Sequence, residues 1–408
     1  MNFHITTEQQ MLVESVQRFL ERDYGFDARR KQLADPGSPR WRWQTLAELG
    51  LLGLMVDEEQ GGMGGSAFDA MLVAQALAPG LLLEPWHEVA IESVSLLQAL
   101  KPSSGLTDPV ARTKGEAISA ALKAIIAGER MIVPAHDEAG MQGNMMAVKT
   151  HADPAGDGFV ISGSKTLVSA GSIADQWLVT STIGSVEGGA ERQRYAVFLF
   201  GSEVPGVQLR PYPGMDSRWY ADLSFRDCWV PSSCLLSAHA ESDIELTQAM
   251  RLMAWCADAQ GCMRALLKQT TEYLQTRQQF GQAIGRFQAL QHRTVDMFMH
   301  SEQSYSMLIR AADACERLRR QRAAQHDREA AAASTSTQAK PLAHALAASR
   351  LLIGVAARSV SQEAVQLHGG MGVSDELQVG HFFRRLTAFE LRLGDTDYHT
   401  HVMASMIQ

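Results

Sequence analysis

The stretch TRQQFGQAIGRFQALQHRTVDM, residues 276–297, interrupts two long runs of helical periodicity with an Arg–aromatic–glycine turn. Upstream, from Glu245 to Arg277, Met253, Cys256, Met263, Leu267 and Leu274 recur at the spacing of one helix face. Downstream, QALQHRTVDMFMHSEQSYSMLIRAADACERLRRQ carries a second run. Arg277 closes the first helix, Phe280 and Gly281 break it, and Gln288 opens the next. An arginine at a helix C-terminus often only compensates the backbone dipole. Set beside an aromatic–glycine turn and flanking glutamines, it also suits a two-pronged contact to a diphosphate.

Working outward, REAAAASTSTQAK (328–340) has the low complexity of an interhelical loop. PLAHALAASRLLIGVAARSVSQEAVQLHGG is a further apolar helix that stops on glycines. Its end, QLHGGMGV (366–373), offers Gln366 and an accessible glycine backbone. No strand precedes this pair and no Lys-Ser follows it, so it is neither a Rossmann nor a Walker loop. Towards the N-terminus the period changes at about residue 131. GFVISGSKTLVSAG, DQWLVTSTIG, RYAVFLFG, VQLRP and ADLSFRDCWVP are short β-branched or aromatic runs punctuated by turn residues, as in a small antiparallel β-domain. Residues 7–100 read as helices, with Thr7 as the first N-cap and DEEQGGMGGS (57–66) as a glycine-rich break. KPSSGLTD (101–108) reads as a loop before the helical GEAISAALKAIIAGER. The chain therefore divides at 1–130, 131–240 and 241–408 into helical, β and helical parts: mainly α, with a central β-domain.

A chain of 408 residues with 46% hydrophobic and 20% charged content is long enough for several packed units and ordinary for a globular protein. A net charge of −8 disfavours nucleic acid and anionic membranes and favours small molecules or proteins as partners. The opening MNFHITTEQQ lacks the marks of a secretory signal, and no apolar run has transmembrane length; a cytoplasmic location is expected. Five scattered cysteines suit buried free thiols in a reducing compartment, because CWVPSSC is too widely spaced for a redox CxxC.

Two other stretches carry chemical potential. HDEAGMQGN (136–144) and GSKTLVSAG (163–171) place small polar groups and backbone amides at strand ends, where they can line a flat heterocycle or simply form solvent-facing turns. LRLGDTDYHTH (391–401) gathers Asp395, Asp397, His399 and His401. One of its carboxylates is either a helix cap or a catalytic base. The His-x-His pair lacks the Cys or Glu cluster that would complete a zinc site, so no metal is expected.

Taken together, these motifs resemble the acyl-CoA dehydrogenase family over nearly the whole chain. The resemblance rests on Arg277, Phe280, Gly281 and Gln288; on Gln366, Gly369 and Gly370; on VPAHDEAG, DGFVISGSK and FRDCWVP; and on DEEQGGMGG. It implies an N-terminal helical domain, a central β-domain and a C-terminal four-helix bundle, assembled as a homodimer, homotetramer or heteromer. It implies FAD, an acyl-CoA substrate and an electron-transfer flavoprotein as electron acceptor. Arg277, Gln279 and Gln288 would meet the diphosphate and adenine from a neighbouring subunit, and Gln366, Gly369 and Gly370 would act similarly. His136, Asp137, Leu167 and Ser169 would face the flavin ring, Ser169 near N5, with Thr396 a further cofactor contact. The sequence departs from the family pattern at Asp137, Gly143 and Leu167, where Thr, Ser and Trp are usual. It also departs at both usual base positions. One falls on Arg251, and the other reads Leu-Gly-Asp-Thr, which leaves Asp395 as the nearest acid and Asp397 as a cap. The GD-x-D-x-H wording is closest to the branch containing the small subunit of pimeloyl-CoA dehydrogenase. Two other readings are a non-catalytic partner subunit and an oxidase or monooxygenase on the same scaffold.

Overall fold

The first helix starts one residue earlier than its capping signal suggested. Thr6 accepts from the backbone N–H of Gln9, and the Gln9 side chain returns to the Thr6 N–H, a reciprocal cap that launches α1 (Thr7–Asp23). The computed structural model describes residues 5–102, 109–187, 190–326 and 339–407. After α1 come α2 (Phe26–Gln32), α3 (Trp43–Glu48) and α4 (Ala67–Leu77), the last capped by Ser66 with Asp69. A π-helical turn, His87–Ser93, runs directly into α5 (Val94–Ala99), and α6 (Pro109–Ile126) completes the N-terminal part. Most of the loop expected at 101–108 lies outside the described residues.

The central strands are β1 (Ile132–Ala135), β2 (His151–Ala155), β3 (Gly158–Ser169), β4 (Gln176–Glu187), β5 (Ala190–Phe200), β6 (Val207–Pro213), β7 (Trp219–Pro231) and β8 (Leu235–Ser237). They form one sheet in the order β6-β7-β3-β2-β4-β5-β8, with β1 beside β4. Pairing is mostly antiparallel, but β1 and β2 each run parallel to β4. A parallel pair needs a long crossover, and the one after β1 contains the loop 136–150 that becomes a wall of the site.

The C-terminal part opens with α7 (Glu241–Thr276), followed by the two-residue strands β9 (Gln278–Gln279) and β10 (Gln282–Ala283) of a tight hairpin. Then come α8 (Gln288–His326), α9 (Ala339–His368), α10 (Gln378–Glu390) and α11 (Thr396–Ile407). Residues 328–338 of the low-complexity tract lie outside the described residues, and its last two begin α9. Helix α7 is buried nearly all round between Ile244 and Met263 and is the axis of the molecule. It packs on α4, the π-helical turn, α8, α9 and α10. Gly261 permits the approach of α4, since a Cβ there would lie 2.5 Å from the Gln75 carbonyl oxygen. Among the described residues no helix is long and apolar enough to cross a membrane.

Candidate active site

Where the β-domain meets the turn between α10 and α11 there is a cleft of 520 Å³. One wall is the loop after β1, including Asp137, Glu138 and Gly143; the other is the turn Leu391–Asp395 with Tyr398. Thr166 and Leu167 at the end of β3 complete the rim. The walls touch at two glycines: a Cβ on Gly143, whose φ is +89°, would sit 2.7 Å from the Gly394 Cα. A salt bridge pins the loop to the sheet. Lys165 Nζ donates to Glu138 at 2.7 Å and to the His136 carbonyl at 3.2 Å, while Glu138 also accepts from Lys149 and Thr150. Burial pushes Lys165 down to about 8 against the pull of Glu138.

Beneath the cleft lies a buried network of charges around Trp255. Arg251 grips both carboxylate oxygens of Asp137, one of them at 2.8 Å, and its Nε faces Glu92 at 3.4 Å. Burial raises Asp137, but Arg251 more than reverses this and holds it at about 2. Glu92 goes the other way: burial lifts it to about 7 despite Arg251. Arg218 holds Glu88 at 2.8 and 2.9 Å and donates to Ser169 Oγ at 2.8 Å. Arg385 joins Asp258, at 2.9 and 3.1 Å, to Asp216 at 3.0 Å. His87 stacks on Trp255 at 5.1 Å between centroids, and burial pushes its imidazole down to about 4.

The other predicted residues gather at one end of the bundle. Tyr273 on α7 stacks on His368 of α9 at 4.3 Å, which brings the Arg277 turn beside Gly369 and Gly370. Arg277, Gln279, Gln288, Gln366 and both glycines are exposed. Phe280 is 89% exposed with φ +54°. A Cβ on Gly369 or Gly370 would meet nothing within 4 Å, so open backbone is presented. Bare amides, a guanidinium, glutamine amides and an exposed ring suit an adenine dinucleotide pressed on from outside. None of these residues lines the cleft.

The expected flavin-side set is split. Asp137, Leu167 and Asp395 line the cleft. His136 does not: its Nδ1 lies 3.0 Å from Thr180 Oγ1 and its Nε2 2.7 Å from the Met145 carbonyl, so the ring is spent on packing. Ser169 is buried on Arg218. Thr396 gives its hydroxyl to Glu390, which also pairs with Arg350 and Arg358, so it braces the turn. The cap of α11 is Asp395, accepting from Tyr398 N–H at 2.8 Å; Asp397 points into solvent. His399 is buried against the Leu393 carbonyl at 2.8 Å. Among the described residues no group of three or more His, Cys, Asp or Glu is arranged to hold a metal. Sequence reasoning missed the π-helical turn with His87, Glu88 and Glu92. The available signal was four titratable residues, Glu84, His87, Glu88 and Glu92, inside the apolar run Leu81–Leu100.

Residues 6–84, 136–228 and 243–408 match, respectively, the N-terminal, middle and C-terminal domain models of acyl-CoA dehydrogenase. The chain is 27% identical over 341 residues to benzylmalonyl-CoA dehydrogenase of Aromatoleum aromaticum, covering 82% of this chain and 84% of that protein. It is 25% identical over 413 residues to the probable acyl-CoA dehydrogenase YngJ of Bacillus subtilis, covering the whole of both. Its fold matches a chain of the ChsE4–ChsE5 complex from Mycobacterium tuberculosis with a TM-score of 0.80 at 21% identity, over 100% of this chain and 99% of that one. Three domain matches in the family order, together with the same fold from end to end, show that the chain belongs to the acyl-CoA dehydrogenase family of oxidoreductases.

Proposed function

We propose that the protein is an FAD-dependent acyl-CoA dehydrogenase that desaturates a thioester between Cα and Cβ, with Asp395 removing the α-proton. One observation carries the assignment of the base. Three carboxylates line the cleft, and Asp395 is the one without an ion pair among the described residues. Asp137 is neutralised by Arg251 and Glu138 by Lys165, and a carboxylate held that way is a poor proton acceptor. Asp395 spends one oxygen, Oδ1, on the helix cap, which orients the carboxylate at the edge of the cleft it lines and leaves Oδ2 without a hydrogen bond among the described residues. FAD, when bound, would supply the oxidant, accepting the β-hydrogen with its electron pair.

The exposed pole of the bundle, with Arg277, Gln279, Gln288, Gln366, Gly369 and Gly370, would hold the dinucleotide half of a cofactor whose ring enters a neighbouring subunit's cleft. Asp137 and Leu167 would flank that ring. His136, Ser169 and Thr396 would support it from behind, through the loop and turn they brace. Two homologous subunits, identical or not, follow from the separation of cleft and pole, and an electron-transfer flavoprotein is the proposed acceptor. The relatives named for acyl-CoA and benzylmalonyl-CoA oxidation support a CoA thioester as substrate. The test is a visible spectrum of purified protein followed by anaerobic titration with a panel of acyl-CoA esters. Loss of flavin absorbance on adding an ester is expected. Protein that contains no flavin and takes none up would overturn the reading.

A further inference from the structure

We propose that Arg392 is a recognition site for a carboxylate on the acyl part of the substrate, so that the enzyme prefers an acyl-CoA carrying a second acid group. This rests on the acyl-CoA reading of the cleft given above. Arg392 lines the cleft three residues before Asp395, at the reacting end. Its guanidinium lies over the ring of Tyr220 at 4.6 Å and that of Trp255 at 5.0 Å, both on buried side chains. Two aromatic faces fix the plane of the fork without consuming its donors.

The surrounding arginines are all engaged. Arg218 holds Glu88, Arg251 holds Asp137, and Arg385 holds Asp258 and Asp216. The field of Arg392 reaches Glu88, Asp137 and Asp216, yet none of these comes within ion-pair distance of it. Among the described residues its side chain donates no hydrogen bond and faces no carboxylate within 4 Å. The remaining cleft carboxylates, Asp137 and Glu138, already have cationic partners. A planar, oriented, half-exposed fork in a confined cleft is complementary to a carboxylate, which it can bind through two parallel N–H···O contacts. A hydrocarbon chain end in the same place would bury that charge unpaired, at a cost a substrate carboxylate removes. The recognised anion therefore belongs to the acyl group rather than to the remote CoA phosphates, because Arg392 and the proposed base share one turn.

The test uses the flavin-loaded oligomer and two unreactive CoA thioethers of equal length, one ending in a carboxylate and the other in a carboxamide, with affinity read by calorimetry. The carboxylate ligand should bind about tenfold to a hundredfold more tightly, the worth of one charge-assisted contact. Arg392→Gln should bring that ratio close to one by weakening the carboxylate ligand, and Arg392→Lys should restore part of it at an unchanged melting temperature. Equal binding of the two ligands by the unaltered protein would overturn this proposal alone. So would an Arg392→Gln variant that weakens both equally, since Arg392 would then serve the thioester or CoA portion they share. Failure of both ligands to bind would instead overturn the acyl-CoA reading on which it rests.

Discussion

Asp395 and Asp397 are two residues apart, and the fold gives them different surroundings. Asp395 lines the cleft and caps α11, whereas Asp397 lies in the first turn of the helix facing solvent. Asn caps a helix about as well as Asp, so Asp395→Asn should leave stability within about 1 kcal/mol of the parent. It removes the proposed proton acceptor, however, and substrate-dependent bleaching of the flavin should fall by orders of magnitude at unchanged flavin content. Asp397→Asn should be nearly silent. Stopped-flow reduction of both variants decides the point. A fast Asp395→Asn paired with a dead Asp397→Asn would show that the base had been assigned to the wrong residue.

The two facing walls of the cleft approach backbone to backbone at a pair of glycines. Gly143 in the β1–β2 crossover touches Gly394 in the α10–α11 turn. Gly143→Ala adds a methyl group with no room and at a positive φ, so the two walls must separate at a cost of about 1–3 kcal/mol. Asp395 sits next to Gly394, so turnover should drop while flavin content holds; parallel flavin spectra and turnover assays separate these effects. A different element contact builds the proposed cofactor site. Arg277 leaves α7 in extended conformation beside the open Gly369–Gly370 backbone. Arg277→Ala should weaken FAD by about 1.5–3 kcal/mol, a loss readable by equilibrium dialysis of the apoprotein. Affinity unchanged by that substitution would remove the turn from the proposed dinucleotide site.

Among the described residues five histidines are buried with rings that burial pushes down: His87, His136, His381 and His399 each to about 4, and His368 in the same direction. The unfolded chain takes up protons at these positions below the ordinary value of 6.5, while the folded chain resists until about 4. Stability is therefore full above 6.5 and falls as pH drops towards 4, by up to about 1.4 kcal/mol per pH unit for each fully buried ring. Glu92, raised to about 7, acts in the opposite sense, adding stability below its ordinary value that is lost as pH rises through 7. Glu84, also raised by burial, acts in the same sense as Glu92, and two such carboxyls against five imidazoles leave a net loss on acidification. Melting curves from pH 7 to 4 should show it, and His136→Gln, which can keep both ring contacts, should flatten the slope by about one proton. Assembly is the other property at this scale. Val295, Phe298 and Met299 form an exposed apolar stripe on α8 at helical spacing. Sedimentation should find an oligomer, and Phe298→Asp should shift it towards monomer with loss of flavin; a flavin-replete monomer would contradict the shared site.

The helical–β–helical order, the long α7 with its Arg–Phe–Gly turn and the Gln-x-x-Gly-Gly stop were legible because each is encoded locally, by periodicity, by a breaker or by a cap. The acid near the C-terminus was equally visible in LRLGDTDYHTH. Which of its two aspartates caps the helix was not, since both stand near the helix start and only the three-dimensional path of the turn selects one. His136 and Ser169 look like direct cofactor contacts in the chain, whereas in the fold they hydrogen-bond to Thr180 of β4 and to Arg218 just before β7, partners remote in sequence. The same holds for the charges. Arg218, Arg251 and Arg385 find their carboxylates on the π-helical turn, the crossover loop and α7, through long-range contacts that no local pattern records. Sequence determined the family, the domains and the residue types available for chemistry. Tertiary structure decided which charges neutralise one another, and so which two, Asp395 and Arg392, are left facing the cleft.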